Sequence, residues 1–271
     1  FVEGAKAIAA ALAPNQALTA LNMDRCVVCA EGAKALADAL TQNQSLAKLR
    51  LTVCAISDEG AEALAEALKQ NHALVELDLG DNTLSARAAA AVAESLKHNH
   101  SLATLNLAGS DDDISTTISD AGAAAIAKAL VQNSSLTELN ICSSDISARG
   151  ANAIAEALKQ NHTLLLLDLC NNRISDEGAI AIAEALKHNH SLKKLNVRCN
   201  DVSARGAVAL AEALKQNHTL ASLELSGNFI SDEAAIAIAE ALKQNQALVE
   251  LGMGMGYCSI ADEGAKAIAE A

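Results

Sequence analysis

The chain has 271 residues and is 51% hydrophobic yet only 1% aromatic, so its apolar mass is aliphatic and small. A net charge of −13 and a pI near 4.9 repel phosphate backbones and exclude nucleic acid as a natural ligand. No apolar run reaches the ~18–20 residues of a membrane-spanning helix, which excludes membrane insertion.

Residues 1–17 read as the back half of a repeating segment. Complete repeats begin at Leu18, Leu46, Leu74, Leu102, Leu136, Leu164, Leu192 and Leu220, and a partial repeat covers 248–271. Successive starts are 28 residues apart except for the 34 between Leu102 and Leu136. Self-similarity at such a period predicts one elongated domain, 1–271, rather than a count of globular units. The chain opens and stops inside repeats, which reads as a fragment of a longer protein.

Each repeat spells a strand and then a helix. Leu164, Leu167 and Leu169 alternate with outward residues, as a short parallel strand requires. Position 9 is Asn in Asn82, Asn172, Asn200 and Asn228 and Cys in Cys26 and Cys54, a column suited to bonding turn backbone. Position 12 is usually Ser, followed by Asp-Glu or Ala-Arg, and predicts an N-cap at Ser57, Ser85, Ser147, Ser175, Ser203 and Ser231. Small residues at positions 15, 16, 18, 20 and 22 let the helix approach the sheet. Asn at position 26, from Asn15 to Asn245, predicts a left-handed helix stop.

The pattern L-x-x-L-x-L-x-x-(N/C)-x-(I/L) resembles the ribonuclease-inhibitor-like class of leucine-rich repeats over essentially the whole chain. That class occurs in ribonuclease inhibitor, NOD-like receptors, Ran GTPase-activating protein and bacterial effectors. The resemblance implies an α/β fold, a right-handed solenoid or horseshoe with parallel strands on the concave face and helices on the convex face. It also implies a protein-binding role in the cytoplasm, as part of a receptor or of an effector delivered into a host cell. Regulation of a small GTPase is the alternative, although no matching edge-loop constellation is found.

No residue set calls for catalysis, a metal or a cofactor. Cys26-Val27-Val28-Cys29 has thioredoxin-like spacing, but Cys26 and Cys54 belong to the structural column and are expected to be buried. Cys142 and Cys170 share position 7 and could meet a disulfide's geometry, yet irregular spacing favours free thiols throughout. His72, His100, His162, His190 and His218 recur at one turn position, which argues for turn structure. Asp111-Asp112-Asp113 lies in the insertion 109–117 and lacks the spacing of a calcium loop. Gly252-x-Gly254-x-Gly256 is too short for a phosphate loop.

Two surfaces stand out instead. Outward strand positions read Leu165, Leu166 and Asp168, then Lys193, Lys194, Asn196 and Arg198, and the loop edge carries Arg173, Phe229 and Tyr257. Aliphatic, basic and aromatic groups together suit a protein partner of acidic character. On the helices, position 17 carries Ile180, Val208 and Ile236 in successive repeats, an expected apolar stripe on the convex face.

Overall fold

In this computed structural model, residues 2–110, 117–254 and 260–271 are described. Their contacts group the chain into two compact blocks, Phe1–Ser144 and Asp145–Ala271. The first holds α1 (Val2–Leu12), β1 (Ala20–Asn22), α2 (Cys29–Gln42), β2 (Lys48–Arg50), α3 (Asp58–Leu68), β3 (Glu76–Asp78), α4 (Ala86–Leu96), β4 (Thr104–Asn106), α5 (Ser119–Leu130) and β5 (Glu138–Asn140). The second holds α6 (Ala148–Leu158), β6 (Leu166–Asp168), α7 (Ser175–Leu186), β7 (Lys194–Asn196), α8 (Ala204–Leu214), β8 (Ser222–Glu224), α9 (Asp232–Leu242), β9 (Glu250–Gly252) and α10 (Asp262–Ala269).

Within each block every strand is parallel to the next and pairs like position with like, as in Leu21 with Leu49 and Leu195 with Leu223. The α/β repeat fold expected from the leucine columns is therefore present. The 34-residue step is absorbed without a register slip, because Leu105 still faces Leu139. A strand only three residues long suffices because leucines on either side of it are buried too: Leu46, Leu49 and Leu51 are all fully covered. Each such side chain contributes about 1.5–3 kcal/mol by leaving water. The helices bury their alanines against the neighbouring helix. At Gly178 an added Cβ would lie 2.8 Å from the Ala151 Cβ, so the small residues set a close approach.

The position-26 asparagines differ from expectation. Asn43 has φ −84° and ψ 126°, extended rather than left-handed, and no residue of this column has positive φ. Their role is to tie repeats together. Asn71 Nδ2 donates to the Leu40 and Asn43 carbonyls of the preceding repeat, at 2.8 and 2.9 Å, while its Oδ1 accepts from the Ala73 and Leu74 amides. Asn189 does the same with Leu158, Asn161, Ser191 and Leu192. A buried amide with four bonds needs the extended backbone, which places its side chain between two chain segments.

The serine caps divide by the pair of residues next in the chain. Ser85, Ser147 and Ser203, each before Ala-Arg, accept from the amide two residues on. Ser57 and Ser175, before Asp-Glu, instead donate to Glu59 and Glu177. The aspartates of those repeats cap the next helix: Asp58 accepts from the Ser85 amide at 2.8 Å, and Asp176 from the Ser203 and Gly206 amides at 2.8 and 3.0 Å. Arg87 and Arg205 reach back to Glu59 and Glu177.

Among the cysteines, Cys54 is buried and its thiol donates to the Met23 carbonyl at 3.1 Å, the bond that Asn82 makes to Leu51 one repeat on. Burial pushes the Cys54 thiol up from its usual pKa. Cys26 is exposed, a correction to the expected burial: β1 is the first strand among the described residues, and none of them stands to Cys26 as Met23 does to Cys54. Cys26, Cys29, Cys54 and Cys199 are free thiols. Cys142 and Cys170 are not, which corrects the expectation of free thiols throughout.

Candidate interaction face

The candidate site lies on the strands of the second block, where β6 to β9 present one row of outward residues after another. Backbone bonds fix the rows: Lys193 donates to the Leu165 carbonyl, Ala221 to Lys193 and Val249 to Ala221, each at 2.8 Å. These four residues thus stand side by side on adjacent strands, about 4.8 Å apart. Leu165 is 41% exposed and Val249 82% exposed. Leu166 is half-buried, so only the first of the two expected solvent-facing leucines is exposed.

Lys193, Lys194 and Arg198 are exposed, and among the described residues none of them has an acidic partner within ion-pair distance. Register explains this for Lys194, whose neighbours in its row are Leu166 and Ser222. Lys48 occupies the same position in the first block and meets Glu76 at 2.8 Å. Arg50 is likewise placed between Asp24 and Asp78, at 3.1 and 3.7 Å.

Asp168 and Asn196 play a different part from Lys193. Asp168 Oδ1 accepts from the Cys170 amide at 2.9 Å, and Asn196 Oδ1 from the Arg198 amide at 3.0 Å. Asn196 Nδ2 also donates to Asp168 Oδ2 at 3.1 Å. The same local turn recurs at Asn22, Asp78, Asn106 and Asn140. Position 5 is thus a strand-ending turn column, legible in the sequence as a run of Asn and Asp. Sequence reasoning missed Val249, whose signal was its outward place in Leu248-Val249-Glu250-Leu251.

On the loop edge, Arg173 is exposed and pairs with Asp145 at 3.0 Å. Phe229 is 43% exposed, its amide donating to the Val202 carbonyl at 2.8 Å. Tyr257 and the triplet's last glycine, Gly256, lie outside the described residues, as do Asp111, Asp112 and Asp113 of the insertion. The helix stripe is interrupted. Ile180 and Ile236 are exposed, but Val208 is half-covered and packs on the buried group of Ala207, Ile230 and Ala234.

The family profile described as Leucine Rich repeat matches residues 15–37, 42–65, 132–155, 160–183, 188–211, 216–239 and 255–269, together more than half of the chain. No curated protein matches it. Among solved structures, the chain is similar to the Leiomodin-1 Actin-Binding Site 2, at 28% identity and a TM-score of 0.47, over 53% of this chain and 83% of that one. It is also similar to the tropomodulin C-terminal domain of Caenorhabditis elegans, at 18% identity and a TM-score of 0.46, over 53% and 89%.

Proposed function

This chain belongs to the leucine-rich-repeat family, and from that premise we propose that it is a non-enzymatic scaffold that binds a protein partner through the strand face and loop edge of its second block. The carrying observation is that Lys193, Lys194 and Arg198 stand without acidic partners among the described residues, on the strand face that also carries the exposed side chains of Leu165 and Val249. Exposed cations gain little from the scaffold itself and gain more when a complementary surface excludes water. Exposed aliphatic groups gain about 25 cal/mol per Å² once covered. Phe229 adds an aromatic group at the neighbouring edge, the residue type that anchors interfaces. The 28-residue period with a helix in every repeat supports the ribonuclease-inhibitor-like class.

The test is selection from a displayed peptide and domain library against the full chain, then affinity measurement on variants. Selected binders should weaken at least tenfold with Phe229→Ala combined with Arg198→Glu, and less than twofold with Lys48→Glu combined with Arg50→Glu. Binders that respond equally to the two pairs of changes would overturn the proposal.

A further inference from the structure

Resting on that reading, we infer that the second block's strand face recognises an extended segment of the form apolar-x-acidic-x-apolar, crossing the strands from β6 to β9. The row Leu165, Lys193, Ala221, Val249 spans three strand spacings, about 14 Å from its first member to its last. An extended peptide advances about 3.4 Å per residue and turns alternate side chains to one face, so its same-face side chains recur about every 7 Å. Three of them therefore fit the row. The first covers Leu165, the third covers Val249, and the second falls between Lys193 and Ala221.

That middle position is where an acidic side chain is favoured. Lys193 stands in the row beside it and the exposed Lys194 follows on the same strand, neither has an acidic partner among the described residues, and Ala221 leaves room. The carboxylates on the two neighbouring strands do not compete for these cations. Asp168 is engaged by the Cys170 amide and Asn196, and Glu224 Oε1 accepts from the Ser226 amide at 2.8 Å. Glu250, exposed beside Val249, repels a carboxylate at the far end and so keeps the acidic residue central. A helical ligand fits less well. At 1.5 Å per residue it covers about 14 Å only after about nine steps, and the residue nine steps on lies half a turn round from the first.

The experiment uses a nine-residue synthetic peptide with leucine, serine, glutamate, serine and valine at its centre, carrying an uncharged dye, and fluorescence anisotropy against the full chain. Replacing the glutamate by lysine, or moving it one position, should weaken binding at least tenfold. Lys193→Glu combined with Lys194→Glu should reverse the preference, so that the lysine peptide binds better than the glutamate one. Reversal cannot come from an unfolded variant. Failure of the parent peptide to bind, or a variant indifferent to the peptide's charge, would overturn the inference. Library binders that depend on Arg198 and Phe229 but enrich no such motif would overturn it while leaving the proposed function standing. Binders indifferent to the second block would remove both.

Discussion

The strand faces of the two blocks are built on the same columns and differ in how their charges are spent. In the first block each cation is matched by an acid across the strands: Lys48 meets Glu76, and Arg50 sits between Asp24 and Asp78. In the second, Lys193, Lys194 and Arg198 have no acidic partner among the described residues, and the row that holds Lys193 also holds exposed Leu165 and Val249. The backbone register is the same in both. The difference therefore lies wholly in side chains that the fold leaves free to vary, and such freedom is where a repeat scaffold acquires recognition.

The largest effect should come from the part that the blocks share. Replacing Asn71 or Asn189 by Ala leaves two carbonyls and two amides unsatisfied around a buried site, and each change should cost about 3 kcal/mol. Urea unfolding should give similar losses for the two variants. A much smaller loss at Asn189 would mean that the second block is held together differently, and the comparison would fail at its base.

A smaller effect should come from converting one face into the other. Ser222→Glu places an acid in register with Lys194, as Glu76 is with Lys48. Stability should change by no more than about 1 kcal/mol, because the pair is exposed. Affinity for second-block binders should nevertheless fall about tenfold, since the cation is then occupied. Unchanged affinity would show that Lys194 takes no part in recognition.

A third contrast lies at the loop edge. Arg173 is already paired with Asp145, unlike Arg198. Arg173→Ala should therefore weaken binders about threefold or less, against about tenfold for Arg198→Ala. A reversed order, read by the same anisotropy measurement, would move the site from the strands to the edge.

The smallest effect lies on the helix side, where the blocks agree. The Ser57 hydroxyl, helped by the Arg87 guanidinium, holds the Glu59 carboxyl down at about 2. Glu177 is lowered in the same way by Ser175, its own backbone amide and Arg205. A depressed carboxyl contributes stability that is fully present above its ordinary value and is lost as pH falls through the folded one. For Glu59 that window runs from about 4.5 down to about 2. Carboxyl titration by NMR should show Glu59 moving back toward 4.5 when Ser57 and Arg87 are both changed to Ala. A midpoint that stays near 2 would sink the assignment.

The sequence by itself determined the period, the leucine columns, the alternation of strand and helix, and the unusual outward residues from Leu165 to Arg198. These were legible because burial acts on every repeat alike, so the same requirement is written again at each 28-residue step. The asparagine columns were visible too, but one physical role was misread. Asn at a helix end suits a left-handed stop in isolation, whereas here Asn43 is extended, no residue of its column is left-handed, and Asn43, Asn71 and Asn189 bind the preceding repeat. Only the tertiary structure decided that, and likewise which serines cap their own helix, why Cys26 is exposed while Cys54 is not, and which cations lack partners. Each of these depends on what the neighbouring repeat places a strand's width away, a relation that sequence spacing suggests and that three-dimensional register fixes.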